Sequence, residues 1–474
     1  MRVVLLIGFL LVAGVAHAQT GTLQGQTPSR PSLPAQAGPY LGGVPSGQAT
    51  TENISLTIVD AIKRALEHNL GLLTAEEEVG RARGARWIAL SDMLPNLNGR
   101  VSELRQKVNL AAFGFPLPAG IPSLVGPFNV FDARVYLTQS VFDLAAINNV
   151  KAESHNLAAA RHSVKSARDL VVLAAASVYL QTLASAARAE SARAQTETAQ
   201  AIFNQATSLK AGGIVAGIEV LRAEVQLGTE RQRATAARND FEKSRLQLAR
   251  LMGLPIGQPF TLVDELPNVP VPEMTLDAAL ERAYKDRPDY QAALERVKAA
   301  ELDRKSIIGE ALPSVHVNAD YGTLGLGLTP SDSKGTFSVT GAVSVPIFEG
   351  GRTQGKLLQA NADLRDRRAE AEDLKAGIYY DVRTAFLDLQ ASDEQLQVAT
   401  RARELSADQL TQSRDRFAAG VASNIEIVQA QEAVAEASEQ YISALYSFNV
   451  AKALLARGLG VAEEATRQFL GGVP

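Results

Sequence analysis

The chain has 474 residues, 46% of them hydrophobic and 21% charged, so it is long enough to bury a large core. A net charge of -4 and a pI near 5.9 give no reason to expect nucleic acid as a partner. The absence of cysteine excludes disulfides, thiolate metal sites, cysteine nucleophiles and a lipidated N-terminal cysteine.

The first residues, 1–18, have the pattern of a secretory signal peptide. One basic residue precedes a short apolar run, and the ending Ala16-His17-Ala18 predicts cleavage before Gln19. A membrane anchor is the alternative, although the run is short for a membrane span. Residues 19–53 are rich in Gly, Pro, Ser, Thr and Gln, which predicts a flexible leader.

The rest of the chain repeats one plan twice. LTIVDAIKRAL at 56–66 recurs as MTLDAALERAY at 274–284, and AGGIVAGIEVLRAE at 211–224 recurs as AAGVASNIEIVQAQ at 418–431. Two copies are too few for a solenoid, which needs at least three repeats to bury a continuous core. The predicted organisation is a first repeat at 54–253, a linker at 254–273, a second repeat at 274–460 and a C-terminal tail at 461–474.

Each repeat is predicted to contain an opening helix, a β-hairpin, a long helix, a glycine-containing turn and a return helix. In the first repeat the last four elements are expected at about 96–142, 146–210, 211–217 and 218–252. In the second repeat they are expected at about 314–348, 352–417, 418–424 and 425–457.

Two periods carry this interpretation. In the second hairpin Val339 and Val343 fall on one face and Thr340 on the other, a period of two that is typical of a strand between apolar and polar surroundings. In the last helix large apolar residues recur every seven positions, as Ile427 and Val434 do, which indicates helices that supercoil on their neighbours.

Helix length and strand number together predict an unusual architecture. A helix of about 65 residues reaches roughly 100 Å, which indicates a rod or a tube. Two hairpins supply four strands, too few to close a membrane barrel in one chain. Two chains would supply eight strands and three would supply twelve, and only the larger barrel leaves an open lumen.

The whole arrangement resembles the outer-membrane efflux protein family, the TolC-like channel components of tripartite exporters. The motifs that show this resemblance are the duplicated helix starts, DRPDY at 286–290, SVPIFEGGR at 344–352 and the paired turn motifs AGGIVAGIEV and AAGVASNIEI. The resemblance covers about 54–460. It implies a mainly α fold with β strands: a homotrimer whose twelve-stranded outer-membrane barrel, surrounded by lipid, continues into a periplasmic tunnel of helices. An equatorial region would contain 254–273 and the chain after 458.

The resemblance also implies where the protein meets its partners, a periplasmic adaptor and an inner-membrane pump. The turns would contact the adaptor through five residues: Gly212, Gly213, Gly217, Gly420 and Asn424. Glu219, Glu426 and Gln429 would lie at the entrance. Some relatives carry two acids one helical turn apart there, whereas the second position is Gln429 here and no arginine lies within 418–424.

Glu426 has two interpretations at this stage. Three copies converging on a narrow axis would favour cations and repel one another, which would act toward opening. Alternatively, Glu426 is a solvated glutamate stabilised by the start of its helix.

No sequence motif indicates an enzyme. The four histidines of the mature chain lack the zinc-site spacing, and the Gly212-Gly213 and Gly350-Gly351 pairs lack the lysine of a phosphate-binding loop. We therefore expect no catalytic residue, metal or cofactor. Two functions remain: a passive exit duct in the outer membrane that extends into the periplasm, or a soluble periplasmic coiled-coil scaffold or adaptor. The residues do not indicate the cargo.

Overall fold

Long helices make up most of the structure, which is a computed structural model. It describes residues 38, 40–114, 120, 122–270, 274–327, 329, 331–419, 421 and 423–469. These residues belong to one compact unit spanning 33–474. The predicted signal peptide, leader residues 19–37 and the end of the predicted tail, 470–474, lie outside the described residues.

The helices fall into two series of matching length. The first series is α1 (Ile58–His68), α2 (Leu70–Ser91), α3 (Leu144–Ala211) and α4 (Gly217–Leu251), with 11, 22, 68 and 35 residues. The second is α5 (Leu276–Asp286), α6 (Pro288–Glu310), α7 (Arg352–Ala418) and α8 (Asn424–Gly458), with 11, 23, 67 and 35 residues. A short helix, α9 (Ala462–Phe469), follows within the predicted tail.

Six strands complete the described secondary structure. They are β1 (Ile54–Leu56), β2 (Asn96–Asn109), β3 (Leu124–Phe142), β4 (Phe260–Leu262), β5 (Ser314–Gly325) and β6 (Ser333–Ser344). A 3₁₀ turn at Leu110–Phe113 follows β2.

Two helices, not one, precede each hairpin, which differs from the sequence-based expectation. In the first series Asn69 ends α1 and caps α2, its side chain accepting hydrogen bonds from the backbone of Gly71 and Leu72. In the second, Arg287 separates α5 from α6, and Pro288 begins α6. Proline is tolerated there because the first helical N–H has no intrahelical partner.

The four longer strands form one antiparallel sheet in the order β2-β3-β5-β6. Directly paired residues lie on the same face, so Tyr321, paired with Val135 and Phe337, belongs to one apolar row. The alternation of faces along β3 is interrupted at Val141, because a bulge there shifts the pairing with β5 between Ser140 and Phe142.

The last strand ends earlier than predicted. β6 stops at Ser344, so Val345 and Ile347 lie outside the sheet. Pro346 has no N–H for the ladder, and Gly350 and Gly351 have positive φ angles of 62° and 83°, which lead the chain into α7.

The middle of α3 is the core of the helical region. All residues from Val171 to Ala176 are buried, and all of them except Leu173 belong to one core with residues of α1, α4, β1, β4 and α9. α3 is the one helix among the described residues with a stretch apolar and long enough to cross a membrane, and 83% of that stretch is buried. Tyr179 connects α3 to β1 and to the segment after β4, since its hydroxyl donates to Leu56 O and to Asp264 Oδ2, each 2.9 Å away.

The beginning of the described leader, residues 40–46, contacts the ends of α1 and α4, whereas residues 47–53 are exposed; the composition of 19–53 predicted a flexible leader throughout. Gly43 N donates to Arg250 O at 3.0 Å, and Val44 N donates to His68 O at 2.8 Å. A Cβ added to Gly43 would lie 2.6 Å from Gly253 N, so only glycine allows this approach. Composition cannot report such a contact because its partner lies some 200 residues away.

Candidate functional site

The two helix-to-helix turns form the candidate site, and we call this end of the structure the tip. It consists of the turn at 212–216 between α3 and α4, the turn at 419–423 between α7 and α8, and the helix ends beside them. The tip has a small core in which Ile202 and Ala223 of the first hairpin of helices pack with Phe417 and Ile427 of the second. The structure therefore brings both predicted turns to one end.

The turn glycines differ in what they do. Gly213 has a φ of 71°, a left-handed conformation that disfavours side chains, and its N–H donates to Lys210 O at 2.9 Å. Gly212 ends α3 with an ordinary φ of -77°. A Cβ added to Gly217 would meet only the side chain of Lys210, at 3.6 Å, which is an ordinary contact. Of the three glycines of the first turn, which the structure describes, Gly213 alone has a backbone conformation that requires glycine.

Two predicted turn residues are only partly covered by the structure. Gly420 lies outside the described residues. Asn424 is the first residue of α8, but the structure does not describe its side chain. Their role in an adaptor contact remains a prediction.

Glu219 lies in the first turn of α4 and is paired within its own helix. Arg222 Nη1 donates to Glu219 Oε1 at 2.7 Å, one helical turn away, and the glutamate side chain is 17% exposed. Glutamate at a helix start is also stabilised by the N-terminal end of the helix dipole. The i, i+3 spacing of this pair is legible in the sequence, although sequence reasoning did not use it.

Glu426 occupies the equivalent place in α8 and is paired across the turn. Its partner is Arg416, near the end of α7, with Arg416 Nε 3.5 Å from Glu426 Oε2. Sequence reasoning looked for an arginine inside 418–424 and missed this one, because ten residues and a helix reversal separate the pair. The carboxylate predicted to be a repelling ring member thus has a positive neighbour in its own chain.

Gln429 lines an apolar groove between α4 and α8, which we call the tip groove. Its other lining residues are Ile218, Leu221, Arg222, Val225, Gln226, Ile425 and Val428. Several are well exposed, Val225 most of all at 71%. The tip therefore combines an exposed apolar groove with carboxylates that already have guanidinium partners, a surface suited to packing against a helix or a turn.

A metal centre has no support in the described part of the chain, where no group of three or more His, Asp or Glu side chains is placed to hold an ion. His155, one of a pair seven residues apart, lies with Nδ1 2.6 Å from Glu295 Oε2. This contact ties α3 to α6, so it has a structural explanation.

Known proteins with related sequences are outer-membrane export components. The pyoverdine export outer membrane protein OpmQ of Pseudomonas putida is 21% identical over 407 residues, 84% of either chain. The outer membrane protein TolC of Escherichia coli is 21% identical over 349 residues, 71% of this chain and 70% of that protein.

Solved structures agree on the fold. The CmeC outer membrane channel of Campylobacter jejuni superposes with a TM-score of 0.73 at 16% identity, over 91% of this chain and 94% of that one. The sequence model described as outer membrane efflux protein matches residues 61–254 and 279–461, most of the chain. Its two matched ranges coincide with the two helix series, and the chain accordingly belongs to the outer membrane efflux protein family.

Proposed function

We propose that this chain is one subunit of a trimeric exit duct that carries solutes from a periplasmic adaptor and an inner-membrane pump across the outer membrane. Membership in the outer membrane efflux protein family supports the location and the transport role. The observation that carries the membrane-spanning assignment is the sheet, which is apolar on one face and charged on the other.

The apolar face of the sheet is exposed. Tyr321, Phe337, Val339 and Val343 are between 68% and 76% exposed, and no described element covers them. Aromatic and β-branched side chains at such exposure are costly in water but suit a lipid surface.

The opposite face carries charges that are half-buried although no described element packs over them. Arg134 on β3 donates from Nε to Asp132 at 2.7 Å and from Nη1 to Asp320 on β5 at 2.8 Å. Their side chains are only 14–24% exposed, as expected where a sheet curls around its polar face. We assign this face to the water-filled lumen and the apolar face to lipid.

Both edges of the described sheet are free, and this supports closure between subunits. β2 and β6 each have one strand neighbour, which leaves a row of unpaired backbone groups on the outer side of each. Unsatisfied backbone groups are not tolerated in lipid, so β6 of one subunit is expected to pair with β2 of the next. Three copies give twelve strands and an open lumen, whereas two copies give eight and a filled one.

The two series of helices support an internal duplication. Their lengths match to within one residue at every element, and the family match is itself divided between the halves. At about 1.5 Å per residue, α3 and α7 are each roughly 100 Å long. We propose that the paired helices of three subunits line a periplasmic tunnel below the barrel.

The tip is the proposed contact with the adaptor. The turns containing Gly212, Gly213, Gly217, Gly420 and Asn424 and the apolar tip groove support this assignment. Because Glu219 and Glu426 each have an arginine partner, the repulsion between their copies in a ring would be reduced. We therefore propose that these residues hold the helix ends at the entrance in place and do not select cations. OpmQ is named for pyoverdine export; the cargo of this chain is set by the pump it works with.

The alternative, a soluble periplasmic scaffold, has no specific observation in its favour. A small sandwich would cover one face of the sheet, whereas the apolar face is open in the described structure.

Fractionation and conductance test the proposal together. The full chain, expressed in a Gram-negative host, should stay in outer membranes through salt and carbonate washing, and the purified protein should form long-lived open channels in planar bilayers. Release by carbonate, or folded protein without conductance, would contradict the duct.

A further inference from the structure

The two halves of the chain share one contact between helices, which allows their residues to be matched. In the first half, Arg86 Nε of α2 donates to Ser154 Oγ of α3 at 3.0 Å. In the second half, Arg304 Nε of α6 donates to Asn361 Oδ1 of α7 at 2.7 Å. The two arginines lie equally far from the starts of α2 and α6, and their partners lie equally far from the ends of α3 and α7. α2 therefore packs on α3 as α6 packs on α7, residue for residue.

α6 also packs on the long helix of the other half. Glu295 Oε2 lies 2.6 Å from His155 Nδ1 of α3, and Ser306 Oγ donates to Ala145 O of α3 at 2.8 Å. The higher-numbered residue of α6 meets the lower-numbered residue of α3, so the two helices are antiparallel. The corresponding pair, α2 and α7, does not pack together within the described chain.

The missing contact is visible in the exposure of matched residues on the shorter helices. Ala292 and Ala299 of α6 are 1% and 2% exposed. Their counterparts on α2, Thr74 and Arg81, are both exposed. Glu77 lies between them at helical spacing on the same face, and we call Thr74, Glu77 and Arg81 the α2 row.

The long helices show the same difference. Ala152 and Ala159 of α3 are 0% and 3% exposed, whereas their counterparts on α7, Gln359 and Asp366, are exposed. Ala362 lies between these two, and we call Gln359, Ala362 and Asp366 the α7 row. Each row thus holds positions that a helix of the other half covers when they occur in α6 or α3.

We propose that α2 of one subunit packs antiparallel on α7 of the next subunit, in the place that α6 takes on α3 within the chain. This inference rests on the proposed duct for the presence of a second copy, and it adds which helices and which residues meet. α2 leads into β2 and α7 follows β6, so the contact continues the proposed pairing of β6 with β2.

The matched register and the chemistry of the rows agree. Glu77 and Ala362 correspond to Glu295 and His155, which meet within the chain. The same antiparallel register places the Thr74 hydroxyl opposite the Asp366 carboxylate, and it places the Arg81 guanidinium opposite the Gln359 amide. Donors therefore face acceptors at both ends of the rows. Polar side chains also suit a surface that lies in water until a second copy covers it.

Chemical crosslinking tests the register. Glu77→Cys combined with Ala362→Cys, treated with a short bifunctional methanethiosulfonate reagent, should give species of two and three times the chain mass, because the chain has no other cysteine. The matched control is His155→Cys with Glu295→Cys, which should be linked within one chain and keep the mass of a single chain. A linked control without a link between chains in the first variant would overturn the proposal, as would a Glu77→Cys and Ala362→Cys link within one chain.

A bulky side chain tests whether the contact is needed for assembly. Thr74→Trp places a large ring in the α2 row and should lower the yield of trimer on unheated gels at least tenfold. The control Gly80→Trp adds the same ring to α2 outside the row, at the counterpart of Lys298, whose side chain stays 55% exposed beside α3, and should keep the yield. Equal yields from both variants, with unchanged circular dichroism, would overturn the contact.

Conductance in planar bilayers separates this inference from the duct itself. Channels formed by a Glu77→Cys and Ala362→Cys protein that fails to crosslink would overturn the helix contact and leave the duct standing. Crosslinked trimers without conductance would support the helix contact and contradict the duct.

Discussion

The two longest helices begin in different ways at equivalent places. α3 starts after Asp143, whose Oδ1 accepts hydrogen bonds from Ala145 N at 2.8 Å and Ala146 N at 3.1 Å. α7 starts after Gly351, which caps it in the left-handed conformation with no side-chain hydrogen bond. The Asp143 carboxylate thus accepts from two of the first helical N–H groups of α3, whereas at α7 the first helical N–H, of Arg352, donates to the backbone oxygen of Glu349 at 3.2 Å.

The glycine start makes a substitution test possible. Gly351→Ala forces a side chain into a φ of 83° and should destabilise the folded chain by about 1–2 kcal/mol. The control Gly355→Ala lies four residues on, inside α7, where an added Cβ meets nothing, and should be neutral or stabilising by roughly 0.5–1 kcal/mol. Thermal unfolding followed by circular dichroism measures both. Equal effects would show that the helix start tolerates a side chain.

Asp169 on α3 should make stability depend on pH. Burial raises its pKa to about 6, with Arg457 acting in the opposite direction and Asp289 and Glu463 adding repulsion. Because the folded-state pKa exceeds the usual carboxyl value of 3.8, the contribution of protonated Asp169 is present at low pH. It is lost as pH rises through about 6.

The corresponding variant is Asp169→Asn, which cannot ionise. It should be more stable than the parent chain at pH 8, by on the order of 1–3 kcal/mol, and nearly equal to it at pH 4. Asp408→Asn, at an exposed position of α7, is the matched control and should leave the pH profile of the melting temperature unchanged. A gap that does not grow with pH would exclude the mechanism.

At the scale of elements, the sheet has faces that substitutions can distinguish. Val339 and Thr340 are neighbours on β6 that point to opposite faces. Val339→Lys places a charge on the proposed lipid face at the middle of β6 and should cost about 2–4 kcal/mol, whereas Val343→Lys, beside the end of β6, should cost less. Thr340→Lys places the same charge in the lumen and should be tolerated. Trimer yield from outer membranes, measured on unheated gels, compares them; equal yields for all three would contradict the assignment of faces.

Periods in the sequence predicted the mainly helical fold with strands, and short motifs predicted the family, because both signals are local properties of the chain. Periods of two and seven are properties of consecutive residues, and they persist whatever the rest of the chain does. The breaks at Asn69 and Arg287 were missed. Arg287 is buried with Asp289 at 2.6 Å and Asp381 at 2.9 Å, so its role depends on a partner some ninety residues away.

The candidate site was predicted less completely for the same reason. The positions of the turns follow from helix periodicity, but the pairing of Arg416 with Glu426 depends on how the chain reverses between α7 and α8. The roles of Glu219, Glu426 and Gln429 at an entrance depend on other subunits, and they stay predictions.

At the scale of the whole molecule, the ion pair between β3 and β5 joins the two hairpins inside one chain. The free edges of β2 and β6 are left for neighbours. A contact between two different edges is heterologous, and repeating it generates a ring if the rotation closes or an open chain of subunits if it does not. Lipid favours closure, because an open array would keep two unpaired edges.

Cysteine pairs placed across the proposed contact between β6 of one subunit and β2 of the next can distinguish a closed ring from an open array. The chain has no cysteine of its own that would interfere. Ser338→Cys on β6 would be combined in turn with cysteine at the lumen-facing positions of β2, namely Asn96, Asn98, Arg100 and Ser102. At least one combination should oxidise to species of two and three times the chain mass and none larger, because a closed trimer has three seams. The control pair Thr138→Cys with Asn318→Cys joins directly paired residues of β3 and β5 and should form a disulfide without any change in mass. A ladder that continues past three subunits would mean an open array, and one that stops at two would mean an eight-stranded barrel.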